Sequence, residues 1–179
     1  FKFEMAGKIK QALRGVIEIS KHVDALLVIN NQRLIDMFPK ISVSEGFKKV
    51  DEVLTTATKS FAEIITARGD INLDFRDVKK ILKNGGVAIM SYGIESGEKR
   101  VERAFYKALH SPLLNNNDIH KSKKILFNIY ENPNTPIRVE EMGEVESFMS
   151  QFKEKKIELI WGYSTDHNLE EGEVKVTVL

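Results

Sequence analysis

One helix-patterned segment, Ser44 to Ala67, governs what this chain can become. Phe47, Val50, Leu54, Phe61 and Ile65 recur three, four or seven positions apart along one face and are joined by Val53, Ala57 and Ile64, the periodicity of an amphipathic helix. Ser42 and Glu45 have the spacing of a capping box at its start, and Arg68-Gly69 supplies a stop. At 1.5 Å per residue, such a rod separates a group near its start from a group beyond its end by roughly 30 Å. No single small ligand can touch both.

Directly beyond the rod lies Asn72-Leu73-Asp74-Phe75-Arg76-Asp77, with two carboxylates three positions apart. Taken locally, Asp74 is an N-cap and Asp77 a favourable first-turn charge for the next helix. Taken chemically, two acids on a loop are suited to positioning or deprotonating a water on a substrate. The two roles are compatible, and the residues alone leave both open.

The remaining pattern alternates helices and strands. Glu4 to Lys21 reads as a helix through Ile9, Leu13, Val16, Ile17 and Ile19, feeding Ala25 to Ile29, a continuous apolar run expected as a buried central strand. A short helical turn over Arg33 to Phe38 is broken by Pro39. After Gly69 follow a helix from Asp74 to Lys83 ending at Gly85-Gly86, a strand Val87 to Tyr92 and a helix around Glu98 to Leu109. Then come an alternating strand Lys124 to Tyr130, a loop with Pro133 and Pro136, a helix Val139 to Phe152, and strands Ile157 to Tyr163 and Glu173 to Leu179. The fold class expected is α/β: the end of one domain (residues 1–42), a central helix (43–68), and a compact α+β domain (69–179) whose four-stranded mixed sheet is covered by helices on one face.

Composition narrows the function classes. With 27 basic and 26 acidic residues the net charge is +1, so no global field draws nucleic acid or an anionic membrane. The cluster Lys121, Lys123 and Lys124 reads as a solvated edge, and Trp161 as packing. There is no cysteine, hence no disulfide framework, thiolate zinc site or thiol nucleophile, as suits a reducing cytoplasm. His22, His110, His120 and His167 are scattered without ligand spacing, so no metal site is expected. No apolar run approaches the roughly 20 residues of a membrane span, and no signal peptide is visible. The chain opens at Phe1 in what reads as the mouth of a helix, and a piece of something longer is expected.

Several stretches, in order, carry a resemblance: Phe3-Glu4, Ser20-Lys21-His22-Val23-Asp24, Ile29-Asn30-Asn31-Gln32-Arg33-Leu34, Ile71-Asn72-Leu73-Asp74-Phe75-Arg76-Asp77-Val78, Ser111-Pro112-Leu113-Leu114 and Val174-Lys175-Val176-Thr177-Val178. Each is weak alone. As an ordered set they resemble the FtsZ family of bacterial tubulin-like cell-division GTPases, over the whole chain. A plasmid-segregating tubulin relative would share the chemistry, but the match to the division family is tighter.

The resemblance implies a GTPase whose nucleotide lies between two subunits stacked head to tail in a cytoplasmic filament at the division site, the septal ring. It implies GTP or GDP, with Mg2+ in the intact protein, as ligands. The family's glycine-rich phosphate cradle, with its Gly-Gly-Gly-Thr-Gly-Thr-Gly signature, belongs to an amino-terminal half not present here, so no nucleotide is expected to bind this part alone. By the same resemblance Glu4 contacts the ribose, Asn31 and Asp51 hydrogen-bond the guanine edge, and Phe47 stacks on the base. A carboxylate at Asp51 accepts from a donor pair that guanine presents and adenine does not. Lys8 stands where the family usually has arginine, a point charge in place of a planar fork. Asn72, Asp74 and Asp77 match the loop inserted into the next subunit's site, and Arg76 there replaces a residue that is usually small. Division regulators and membrane tethers are partners implied for the intact protein, with neither nucleic acid nor direct membrane insertion expected. The competing reading is a non-catalytic interaction or filament-capping module that docks regulators.

Overall fold

A computed structural model describes residues 5–29, 31–32, 40–111, 122–153 and 157–179. Helix α1 (Met5–Ser20) leads to a short strand β1 (Ala25–Leu27), and the long helix α2 runs unbroken over Val43–Thr66. Its start is fixed by the capping box anticipated from sequence. The Glu45 N–H donates to Ser42 Oγ at 3.2 Å and the Ser42 N–H to Glu45 Oε2 at 2.7 Å, satisfying two donors that helix geometry would orphan. Its 24 residues make a rod about 36 Å long.

The covered stripe of α2 is not quite the one the apolar residues suggest. Gly46, Ala57, Ser60 and Ile64 are buried and Val50 and Val53 half-buried, whereas Phe47 and Leu54 remain 44% and 55% exposed. Each residue turns about 100° around a helix, so a stripe set one position earlier leaves Phe47 and Leu54 at its margin. The apolar arc is wider than the surface packed against it among the described residues.

Beyond α2 come α3 (Phe75–Leu82), β2 (Gly86–Ala88), β3 (Ser91–Ser96), α4 (Arg100–Leu109) and β4 (Lys124–Glu131). A 3-10 turn (Val139–Glu141) opens α5 (Met142–Lys153), and β5 (Glu158–Thr165) and β6 (Glu173–Val178) follow. The strand expected over Val87 to Tyr92 is in fact two strands of different sheets. β2 pairs in parallel with β1, while β3 pairs antiparallel with β6, the chain changing sheets across Ile89-Met90. The run Ala25 to Ile29 also departs from expectation. Only three residues form the strand, and Leu27 and Val28 are exposed, because among the described residues only β2 lies beside it.

The main sheet has the order β3-β6-β4-β5, with β4 and β5 parallel and the other pairs antiparallel, so it is mixed as expected. Helices cover both of its faces rather than one. On one side Ile125, Phe127 and Ile129 of β4 pack with α4, α5 and β6, where Phe105 stacks on Phe148 at 4.1 Å and meets Phe127 edge-on at 5.2 Å. On the other, Leu126 joins Ala57 and Ile64 of α2, Val78 and Ile81 of α3, and Leu73 and Met90. Alternation in β4 therefore divides two cores, and the strand is buried on both faces.

Two polar ties lock this arrangement. Buried Arg100 forks onto Glu141 (Nε to Oε1 2.8 Å, Nη2 to Oε2 3.0 Å) and donates to the carbonyls of Thr135, Pro136 and Gly172, pinning the proline loop to α4. Lys175, buried on β6, donates to Glu63 of α2 at 3.0 Å and to Asp166 at 2.5 Å, with its ammonium 4.4 Å from the Tyr130 ring centre. Burial alone would push the Asp166 carboxyl up, but donors from Lys175 and the Asn168 backbone hold it below the usual carboxylate range. Hydrogen bonds from Arg100 do the same for Glu141.

The segment joining α2 to α3 docks on β5. The Tyr163 N–H donates to Ile71 O at 2.8 Å, the Ile71 N–H to Tyr163 O at 3.3 Å and the Thr165 N–H to Arg68 O at 3.0 Å, so the open edge of the sheet is partly paired. Gly69 makes the approach possible, since a Cβ there would stand 2.2 Å from Tyr163 O. Leu73 seats on Gly162 in the same way, a Cβ at Gly162 falling 2.6 Å from Leu73 Cγ.

Replacing Gly69 by Ala is expected to cost about 2 kcal/mol by overpacking against β5, read as a lower denaturant midpoint. Lys175→Ala should cost about 3 kcal/mol by stranding Glu63 and Asp166 beside each other without their cation. Because the folded-state pKa values of Asp166 and Glu141 are depressed, the stability they add is complete above the ordinary carboxylate range near 4 and is lost as pH falls through and below it. A denaturant midpoint that drops between about pH 5 and 3, and drops less in Lys175→Ala, is the expected profile.

Candidate functional site

The acidic loop is built by its own backbone. Asn72 closes it: the Gly69 N–H donates to Asn72 Oδ1 at 2.9 Å and Asn72 Nδ2 returns to Gly69 O at 2.7 Å. Both polar ends of that amide hold the turn that leaves the β5 edge, and each keeps capacity for one further partner. Buried Leu73 anchors the next residue in the core below.

Asp74 and Asp77 then form a complete capping box for α3. The N–H groups of Arg76 and Asp77 donate to Asp74 Oδ1 at 2.6 and 3.0 Å, and the Asp74 N–H donates to Asp77 Oδ2 at 3.0 Å. The local reading of these residues is thus correct, and it leaves the chemical reading intact. Each carboxylate spends one oxygen on the cap, and Asp74 Oδ2 and Asp77 Oδ1 make none of these cap bonds. Asp74 is exposed and Asp77 half-buried. Fixing one oxygen to the helix terminus aims the other, so the pair is a rigid rather than a wandering acidic group. Phe75, between them, is 65% exposed, and Arg76 is exposed as well.

Of the residues that the resemblance assigns to the nucleotide, Phe47 and Asp51 lie in the first half of α2, away from the acidic loop. Glu4 is outside the described residues. Lys8 is exposed on α1, and Asn31, just past β1, is half-buried. Phe47 and Asp51, one turn apart and both exposed, share a face in the first half of α2. From Asp51 to the last turn at Thr66 the rod covers about 22 Å, and its capped, continuous ladder allows no fold-back. Asp51 and the acidic loop therefore belong to two separate places.

Two features of the loop were not anticipated from sequence. The mutual bonds of Gly69 and Asn72 run from the asparagine back to a residue three positions earlier, the reverse of an Asx turn, so the turn signal of asparagine did not point to them. The docking onto Tyr163 joins residues more than ninety apart and left no local trace.

With this geometry in place, comparison with known proteins is specific. A cell division protein FtsZ of Porphyromonas gingivalis is 46% identical over 179 residues, covering 100% of this chain and 39% of that protein. Among solved structures, an empty FtsZ dimer from Methanocaldococcus jannaschii superposes with a TM-score of 0.86 at 36% identity, over 99% of this chain and 51% of that one. The CetZ2 protofilament of Haloferax volcanii, solved with GTPγS, has a TM-score of 0.67 at 19% identity over 92% of this chain and 48% of that one, a likeness of fold alone. The chain spans about half the length of these relatives or less. The model of the FtsZ family's C-terminal domain matches residues 86–179, more than half of the chain, and with the whole-chain identity to division proteins this places the chain in the FtsZ family.

Proposed function

We propose that this chain is the carboxy-terminal part of a longer polypeptide that hydrolyses GTP to GDP and phosphate while polymerising head to tail into cytoplasmic filaments at the division site. Residues 1–42 close a nucleotide-binding domain, 43–68 form its connecting rod, and 69–179 form an activating domain. Glu4, Lys8, Asn31, Phe47 and Asp51 contact the nucleotide held by the chain's own upstream half. Asn72, Asp74 and Asp77 serve the nucleotide of the adjacent subunit. The observation that carries this reading is the unbroken α2, with its base-contacting candidates near one end and a rigid acidic pair beyond the other.

The chemistry asked of the loop is modest. A water must be held in line with the γ-phosphorus; its oxygen forms the new P–O bond while the bond to the β–γ bridging oxygen breaks and that oxygen leaves on GDP with the electron pair. The water's proton passes to the free oxygen of an Asp74 or Asp77 carboxylate. Asn72 keeps the loop at the height from which those oxygens reach outward. Mg2+, when bound, neutralises phosphate charge. Among the described residues no group of three His, Cys, Asp or Glu side chains is placed to hold a metal ion. Hydrolysis then requires a neighbour, and turnover follows assembly.

Substitution by asparagine separates capping from chemistry, because Asn is as good an N-cap as Asp at position 74 and, at position 77, keeps an oxygen to accept from the Asp74 N–H, but takes up no proton. In the full-length polypeptide, Asp74→Asn and Asp77→Asn are expected to lower GTP turnover at least about 100-fold with the thermal midpoint nearly unchanged. Turnover within twofold of the parent would overturn the reading. The exposure of Phe75 beside the acids favours a second reading, a docking or filament-capping module. It would be supported if those variants keep full turnover and the isolated 179-residue chain, added to the full-length polypeptide, stops assembly.

A further inference from the structure

Arg76 breaks the local rules of the helix it stands on. It is the second residue of α3, where a cation opposes the positive end of the helix dipole, and Lys79 and Lys80 follow it three and four positions later on the same side. Two carboxylates lie within three residues of it, yet none pairs with its guanidinium among the described residues; their inner oxygens are given to backbone N–H groups instead. Lys80, by contrast, has its own partner in Glu158. The side chain is exposed and covers no core. A residue that works against its own helix and gains no side-chain partner among the described residues is suited to a partner outside the chain.

We propose that Arg76 is an arginine finger supplied in trans: inserted with the acidic loop, it contacts the γ-phosphate oxygens of the nucleotide on the adjacent subunit. The inference rests on the reading of the loop given under the proposed function. An acidic pair alone brings two negative charges against a triphosphate, which deters the very approach the loop must make. A guanidinium between them removes one of those charges and presents a planar set of donors matched to phosphate oxygens. In the transfer step Arg76 exchanges no proton. Water still attacks phosphorus, the bridging oxygen still leaves with the electron pair, and the proton still goes to a carboxylate; the guanidinium binds the equatorial oxygens on which charge gathers. The capping box fixes the two carboxylates and the backbone of Arg76 on one turn, so the guanidinium starts from a set place beside the proton acceptor.

The test compares Arg76→Ala, Arg76→Lys, Asp74→Asn and Asp77→Asn in the full-length polypeptide, measuring GTP turnover per assembled subunit, KM for GTP and thermal midpoint. Arg76→Ala is expected to lower kcat at least about tenfold. KM should stay within twofold, because the nucleotide is held by the other subunit, and the thermal midpoint should be unchanged or higher because a misplaced cation has gone. Arg76→Lys should recover part of the loss, since it keeps the charge without the fork. A kcat for Arg76→Ala within twofold of the parent, with both aspartate variants inactive, would overturn the arginine role and leave the acidic loop standing. Full turnover in the aspartate variants would overturn both.

Discussion

A capped helix with a continuous hydrogen-bond ladder cannot bring its ends together, and every functional statement about this chain depends on that constraint acting over Val43–Thr66. The ladder starts at the reciprocal bonds of Ser42 and Glu45 and is held from the middle onward by Ala57, Ser60 and Ile64 packed against the sheet. Glu63 adds a charged tie to Lys175 on β6. Where the ladder ends, the chain is set down at once on β5, through Gly69, Ile71 and Leu73. Rod, sheet and loop are consequently one rigid device, with the loop at a fixed place relative to everything that the rod's other end touches.

At the loop, structure and chemistry use the same atoms without conflict. A capping box consumes one oxygen of each carboxylate and in return removes the torsional freedom that would otherwise blur the position of the second. The acids are thereby held without a wall of side chains around them, which suits a group that must enter a cleft belonging to another molecule. The same turn carries the large exposed ring of Phe75 and the cation of Arg76, which pairs with no side chain among the described residues. A loop that served only its own fold would have little use for either.

Much of this was legible because it is local. The capping spacings of Ser42 with Glu45 and Asp74 with Asp77, the helical period of α2 and the last three strands of the mixed sheet all depend on residues a few positions apart, and all are found. What escaped depends on distant partners. The apolar run around Val87 gives no sign that Gly86–Ala88 belongs with β1 and Ser91–Ser96 with β6, since both read as the same extended chain. Alternation in β4 does not say that its second face will also be covered, because α2, far upstream, does the covering. Of the candidate site, the acids and their spacing were visible as residues. The docking of Ile71 against Tyr163 was not, whereas the separation of Asp51 from the acids was already expected from the length of α2.

The central claim, that the acidic loop and the base contacts of one chain serve different nucleotides, is tested most directly by complementation between two dead full-length variants. Asp51→Ala damages only a subunit's own base site, and Asp74→Asn paired with Asp77→Asn damages only the loop it gives to its neighbour. Each alone should be nearly inactive, whereas a one-to-one mixture should recover turnover, because about a quarter of head-to-tail contacts in a random copolymer then join an intact loop to an intact site. A mixture no more active than its two components, although both co-assemble, would show that loop and base contacts act on the same nucleotide and would contradict the claim.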